Sequence, residues 1–232
     1  MFDKDYFEAK SPTNSFLKGK KPLYHRFWIR YIQKFKSKGS LLDLGCGKGF
    51  FLEYAEKRYK TYGIDISDYA IEHAIDNLKK STLFVKDAKN TGFQDNFFDI
   101  ITCFDMLEHL NDPEYTLKEC KRILKEDGLL IVTVPNIDSL GIKLKKRNWY
   151  GYRDKTHVSL LSKDSWFKLL ENNDFKIIEF FYDGLWDSPY FEKIPTILQH
   201  MFFKIPVTIM FGLGIKFSKR FGEGLCVVAL KK

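Results

Sequence analysis

Leu41-Leu42-Asp43-Leu44-Gly45-Cys46-Gly47-Lys48-Gly49-Phe50 decides the fold. Three leucines surround a single acid, the pattern of a strand buried on both faces. Glycines at alternate positions follow. They let the backbone approach a ligand closely and offer amides at the start of a helix. Residues 51–59 then carry apolar side chains at helical spacing. Strand, glycine turn and helix make half of a nucleotide-binding unit.

The second half stands at the right distance. Lys60-Thr61-Tyr62-Gly63-Ile64-Asp65-Ile66 reads as a second strand, its acid 20 residues after Gly45. In nucleotide-binding α/β folds a carboxylate at that strand end accepts hydrogen bonds from ribose hydroxyls. The nicotinamide fingerprint is G-x-G-x-x-G, and here Phe50 stands where its last glycine belongs. That departure counts against a nicotinamide-dependent oxidoreductase, which stays as an alternative reading.

The run Leu-Asp-Leu-Gly-Cys-Gly-Lys-Gly, followed by Tyr-Gly-Ile-Asp-Ile-Ser, resembles motif I and the acid after it in class I S-adenosylmethionine (SAM) methyltransferases. A second run, Phe-Asp-Ile-Ile-Thr-Cys-Phe-Asp-Met-Leu-Glu-His-Leu over 98–110, is similar to that family's fourth-strand motif. The resemblance covers roughly residues 39–183 and points to the branch with the ubiquinone-biosynthesis O-methyltransferases. It implies a Rossmann-like α/β fold. The sheet has seven strands, mostly parallel, with a reversed C-terminal strand and helices on both faces. It also implies SAM as cofactor and S-adenosylhomocysteine as product. Asp43, Gly45, Cys46, Gly47 and Gly49 would hold the methionine end, Asp65 with Ile66 the ribose, and Asp87 with Ala88 the adenine. Phe104 and Met106, where the fourth strand ends, complete the expected cofactor set.

Composition suits this reading. The chain has 232 residues, 44% of them hydrophobic, which fits one methyltransferase domain over 1–232. Its parts are an N-terminal cap and helix (1–38), a core (39–183), a hydrophobic insertion (184–221) and a last strand (222–232). The formal charge is +8, but the lysines are spread widely, with one local run at 143–147. Nucleic-acid binding would call for clustered charge with stacking aromatics, so no nucleic-acid partner is expected. Cys46, Cys103, Cys120 and Cys226 form no C-x-x-C pair and read as reduced packing residues of a cytoplasmic protein. The first residues lack the apolar stretch of a secretory leader.

Along the chain, Tyr6, Phe7 and Phe16 punctuate a polar start. Asp5-Tyr6-Phe7 resembles an aromatic motif that closes over the cofactor in the family; an ordinary apolar anchor is the other reading. Phe27, Tyr31 and Phe35 mark an amphipathic helix, in which His25 is expected at the surface or an edge. Ser67, Asp112 and Ser162 are expected N-caps. Strands are expected at 82–85, 97–104, 129–134, 175–181 and 224–230, with a turn at Asp127-Gly128 and an irregular connection over 137–161.

The 184–221 segment departs from the family pattern. It contains an eleven-residue uncharged run from Ile205 to Ile215, and Lys193, Lys204, Lys216, Lys219 and Arg220 flank or interrupt the apolar residues. Pro195, Pro206, Gly212 and Gly214 argue against one long helix, and the run is too short to span a bilayer. A substrate lid or a homodimer contact is the simpler reading, a peripheral membrane anchor the third.

The expected reaction transfers a methyl group to a small-molecule acceptor, foremost to a hydroxyl oxygen, with nitrogen or carbon behind it. A lipid-linked acceptor is among the choices. A catalytically silent SAM-binding partner protein is a further alternative. His109 is the first candidate base and His157 the second, each with a structural role as its alternative. Glu108, His109 and Asp112 can be drawn together as metal ligands, but nothing in the sequence fixes that geometry, and no metal is expected.

Overall fold

The computed structural model describes residues 2–8, 22–218 and 222–232. Phe16, Lys219 and Arg220, named above, lie outside the described residues. Strands β1 (Ser40–Leu44), β2 (Lys60–Asp65), β3 (Thr82–Val85), β4 (Phe98–Phe104), β5 (Leu124–Pro135), β6 (Phe175–Tyr182) and β7 (Gly224–Lys231) form one sheet in the order 3-2-1-4-5-7-6. The pairs among β1 to β5 are parallel, and β7 runs antiparallel to both β5 and β6. The reversed C-terminal strand and the mostly parallel sheet match the sequence reading.

Burial on both faces explains the leucine-rich strands. Leu42 and Leu44, with Leu130, Val132 and Val134 of β5, point into one apolar layer. Leu41, with Leu129 and Ile131, points into the other, where α2 (Pro22–Gln33) adds Phe27, Trp28, Tyr31 and Ile32. Successive strand residues thus serve opposite layers, as the two-residue period requires. Ser67, Asp112 and Ser162 all cap helices through their side chains, at α4 (Asp68–Asn77), α5 (Pro113–Ile123) and α8 (Lys163–Asn172).

Three local expectations change. The regular helix after the glycine loop is a single turn, α3 (Leu52–Ala55); the chain continues as turns to buried Tyr59, whose hydroxyl donates to the Lys36 carbonyl. The fifth strand starts earlier than 129, at Leu124. Its expected turn survives as a break in register, with Asp127 left-handed at φ 56°. The 137–161 connection contains two short helices, α6 (Leu140–Lys145) and α7 (Tyr150–Arg153), the first capped by Ser139.

The insertion is the largest change. Helix α9 (Thr196–Gln199), a π-helical turn (His200–Lys204) and α10 (Ile205–Gly212) follow one another without a gap. Pro206 has no N–H to give, and the widened turn just before it absorbs that loss without ending the helical run. Pro195 stands at the N-cap, where its missing donor costs nothing. Arg30 donates to the Gly212 carbonyl at 2.7 Å, and Tyr24 meets Phe211 edge-on at 5.3 Å. The insertion therefore packs against α2. None of its described residues lines the cavity at the strand ends.

Candidate active site

A cavity of about 290 Å³ opens at the carboxyl ends of β1 and β4, where the strand order reverses. Open α/β sheets place ligands at such switch points. Gly45 and Cys46 donate to the Ile64 carbonyl at 2.9 Å, tying the loop to β2. Gly45 has φ +69°, and a Cβ there would lie 2.6 Å from Met106. Gly47 has φ +50°, and a Cβ there would meet only Phe7, at 3.7 Å. Its backbone is thus bare towards the cavity.

Asp65 has a structural duty of its own. Its two carboxylate oxygens accept from Gly47 N and Ser67 N, each at 2.9 Å, so it also clamps the glycine loop. A carboxylate oxygen has two lone-pair sites, and acceptor capacity remains for a ligand. Asp43 is buried and accepts from Thr102 Oγ1 at 2.6 Å. Burial pushes its carboxyl up to about 7, against the Thr102 bond and with the Asp65 charge adding to the rise. Among the described residues no Lys or Arg pairs with Asp43 or Asp65. Two buried acids without a cation suit a cationic ligand, and the ammonium and sulfonium of SAM meet that requirement. Asp87 spends one oxygen on Lys89 N at 2.9 Å, as a turn residue would, and still lines the cavity.

Two histidines face each other across the far end, with ring centroids 4.7 Å apart. Thr156 donates its hydroxyl proton to Asp154 Oδ1 at 2.5 Å. Its oxygen lies 2.8 Å from His109 Nδ1 and therefore accepts from it. That assigns the proton to Nδ1 and leaves the Nε2 lone pair of His109 free. His157 Nδ1 donates to the Gly151 carbonyl at 2.8 Å, leaving its own Nε2 4.0 Å from Glu108 Oε1. Burial, with His157 beside it, lowers His109 to about 4. Burial would raise Asp154, but the Thr156 hydrogen bonds hold it below the usual carboxylate range.

Glu108 is the residue that sequence reasoning undervalued. It is buried, and neither carboxyl oxygen has a hydrogen-bond partner among the described residues. Burial, with Asp105 nearby, pushes its carboxyl well above the usual range. Ligand atoms of Glu108, His109 and His157 all lie within 4.8 Å of one another, a set able to hold a divalent cation. Asp112 is not part of it; it caps α5 instead.

Of the other expected site residues, Gly45, Cys46, Gly47, Ile66, Ala88, Phe104 and Met106 line the cavity. Gly49 does not; a Cβ there would strike Leu78 at 2.7 Å, so it seats the loop on α4. Trp149 is buried against Glu223, while its neighbour Tyr150 lines the cavity wall. His25 is buried at the cavity wall and not at the surface. Phe2, Tyr6 and Phe7, around α1 (Lys4–Glu8), also line the cavity, and Phe2 meets His109 edge-on at 5.4 Å.

The chain matches the family described as methyltransferase domain over residues 18–179. It is 34% identical over 122 residues to a ubiquinone biosynthesis O-methyltransferase of Haemophilus ducreyi, an overlap of 47% of this chain and 51% of that one. An uncharacterized protein of Methanocaldococcus jannaschii is 39% identical over 110 residues, 47% of each chain. The match thus spans about half the length of these curated relatives. A SAM-dependent methyltransferase structure from Archaeoglobus fulgidus superposes with a TM-score of 0.65 at 21% identity, covering 94% of this chain and 97% of that one. Another, from Aquifex aeolicus, gives 0.62 at 17% identity over 100% of both chains. At these identities the structural likeness concerns the fold.

Proposed function

This chain belongs to the methyltransferase domain family, and from that premise we propose that it methylates a hydroxyl oxygen of a small-molecule acceptor, using SAM. The carrying observation is one cavity that joins two cation-free buried acids, Asp43 and Asp65, to two histidines with free Nε2 atoms. Bound SAM supplies an electrophilic methyl on a positive sulfur. Asp43 and the glycine loop would hold its amino-acid end, Asp65 the ribose and Asp87 the adenine amino group. The acceptor oxygen would gain the methyl as the methyl–sulfur bond breaks, leaving the neutral thioether of S-adenosylhomocysteine, and the hydroxyl proton would pass to Nε2 of His109. Phe2 and Tyr6 over His109 keep water from that proton. A lipid-linked hydroxyl is the more specific acceptor in this reading. A cytoplasmic site is its setting, in keeping with four free, buried cysteines.

Calorimetry tests the reading. SAM and S-adenosylhomocysteine should bind, and Asp65→Ala should weaken SAM by about 1–3 kcal/mol, roughly 5- to 150-fold. Binding of NAD with no SAM binding would overturn it. S-adenosylhomocysteine formation with an added acceptor separates an enzyme from a silent SAM-binding protein.

A second calorimetric result follows from Asp43. Near pH 7 its carboxyl is partly protonated, and a bound ammonium favours the charged form. SAM binding at pH 7 should therefore release about half a proton. The apparent enthalpy would change with the ionisation heat of the buffer, and Asp43→Asn would remove that dependence. An enthalpy independent of buffer in the parent would contradict the assignment.

A further inference from the structure

Most of the large apolar side chains left exposed among the described residues lie between 191 and 215. The helical run there divides lengthwise. Val207 and Phe211 are buried against α2, while Ile197, Met201, Phe202, Ile205, Ile209 and Leu213 form an exposed stripe at three- and four-residue spacing. Exposures of 67%, 72% and 69% at Ile197, Phe202 and Leu213 leave that stripe without a covering partner among the described residues. A helix apolar all round is normally covered on every side.

We infer that this stripe, with the basic segment beside it, docks on an anionic lipid bilayer surface. Charge selects that occupant. Residues 193–222 contain no Asp or Glu, and exposed Lys193 stands at their start, next to exposed Glu192. The basic run joins the same end of the insertion. Lys145 pairs with Asp187 at 2.8 Å and sits 5.9 Å over the Tyr190 ring, which packs on Phe203 at 5.2 Å. Its neighbours Lys143, Lys146 and Arg147 are exposed and make no ion pair among the described residues. Apolar side chains beside exposed cations, with no acid from 193 to 222, match a headgroup layer over acyl chains. A symmetric second copy would bring the same acid-free stretch against itself, without the counter-charge that lipid phosphates supply.

Not every described cation beside the apolar run is available to headgroups. Lys216 is committed to Glu179, and Lys204 is half-buried, with burial lowering its pKa. Lys143, Lys146, Arg147 and Lys193 take that part. Tyr24 lines the cavity and packs on Phe211, so the docking helix and the reaction site share a wall. The inference leans on the proposed methyl transfer only for a lipid-borne acceptor; docking itself needs neither SAM nor turnover.

Vesicle co-sedimentation with the full chain tests it, without SAM. The protein should pellet with phosphatidylcholine vesicles containing about one-third phosphatidylglycerol and far less with phosphatidylcholine alone. Phe202→Glu with Leu213→Glu, both exposed and remote from the cavity, should abolish pelleting, and Lys143→Glu with Lys146→Glu should remove the preference for the anionic lipid. Unchanged SAM affinity in these variants would show that the fold and the cofactor reading stand apart from docking. No pelleting of the parent, pelleting unaffected by the variants, or a dimer in sedimentation velocity that Phe202→Glu disperses without any vesicle binding would each overturn the inference.

Discussion

His109→Ala should lower turnover by about 10²–10⁴-fold while SAM affinity stays within a few-fold of the parent. The expectation rests on a chain of hydrogen bonds. Ionised Asp154 takes the Thr156 proton, and Thr156 takes that of His109 Nδ1. His109 lines the cavity, and Nε2 is the ring nitrogen left to accept a proton. Because burial lowers His109 to about 4, the ring is neutral at physiological pH and ready to accept a proton. The base form is lost only on protonation. With SAM saturating, so that Asp43 stays charged, the rate should therefore hold from pH 8 to 6 and fall on the acid side as pH approaches about 4. A relay also makes a finer claim. Thr156→Val should slow the reaction and Thr156→Ser should restore it, a distinction that a purely structural role for Thr156 would not make. Near-parental turnover in His109→Ala, with SAM binding intact, would return His109 to structural duty.

The legible parts of this molecule were those whose signal is local. Leu41, Leu42 and Leu44 announce a strand buried on both faces because the neighbours that cover them are apolar whatever their identity. Asp43, Gly45, Gly47 and Asp65 are readable because a glycine loop needs its residues close in sequence. The relay was hidden for the opposite reason. Asp154 and Thr156 reach His109 across more than forty residues, and no spacing rule encodes that contact. Glu108 was visible as a letter, but its burial without partners is a tertiary fact. That Tyr150 and not Trp149 lines the cavity was equally hidden, because a one-residue change of phase on an irregular segment reverses which side chain faces it. Pro206 misled through a sound rule, since a proline inside a helix usually ends it and here a π-turn absorbs it. Gly49 belongs to the same loop as Gly47, yet a positive φ can serve packing as readily as a ligand.

Glu223→Ala should cost about 3–5 kcal/mol of stability, the sum of several buried donors left without an acceptor. Glu223 is buried at the start of β7, a position that nothing in the sequence marks as special. Its Oε2 accepts from Trp149 Nε1 at 2.5 Å and Ser139 Oγ at 3.1 Å, and its Oε1 accepts from Tyr190 OH at 2.7 Å. The donors come from three places: the N-cap of α6, the entry to α7 and the insertion. One carboxylate thus pins the basic segment and the root of the docking helix to the sheet. Burial raises its pKa, and the bonds from Trp149, Tyr190 and Ser139 pull it back. The space is also tight, since a Cβ at Gly141 would lie 2.0 Å from Oε1. Glu223→Gln should cost less than alanine, because an amide keeps one acceptor oxygen while turning a donor towards groups that need an acceptor. Denaturant titration measures the loss. Hydrogen exchange locates it: protection should fall first over 139–153 and 185–203, while β1, β2 and β4 keep theirs. A loss below about 1 kcal/mol, or exchange rising evenly across the sheet, would mean that the three segments are held by apolar packing and that the carboxylate is incidental.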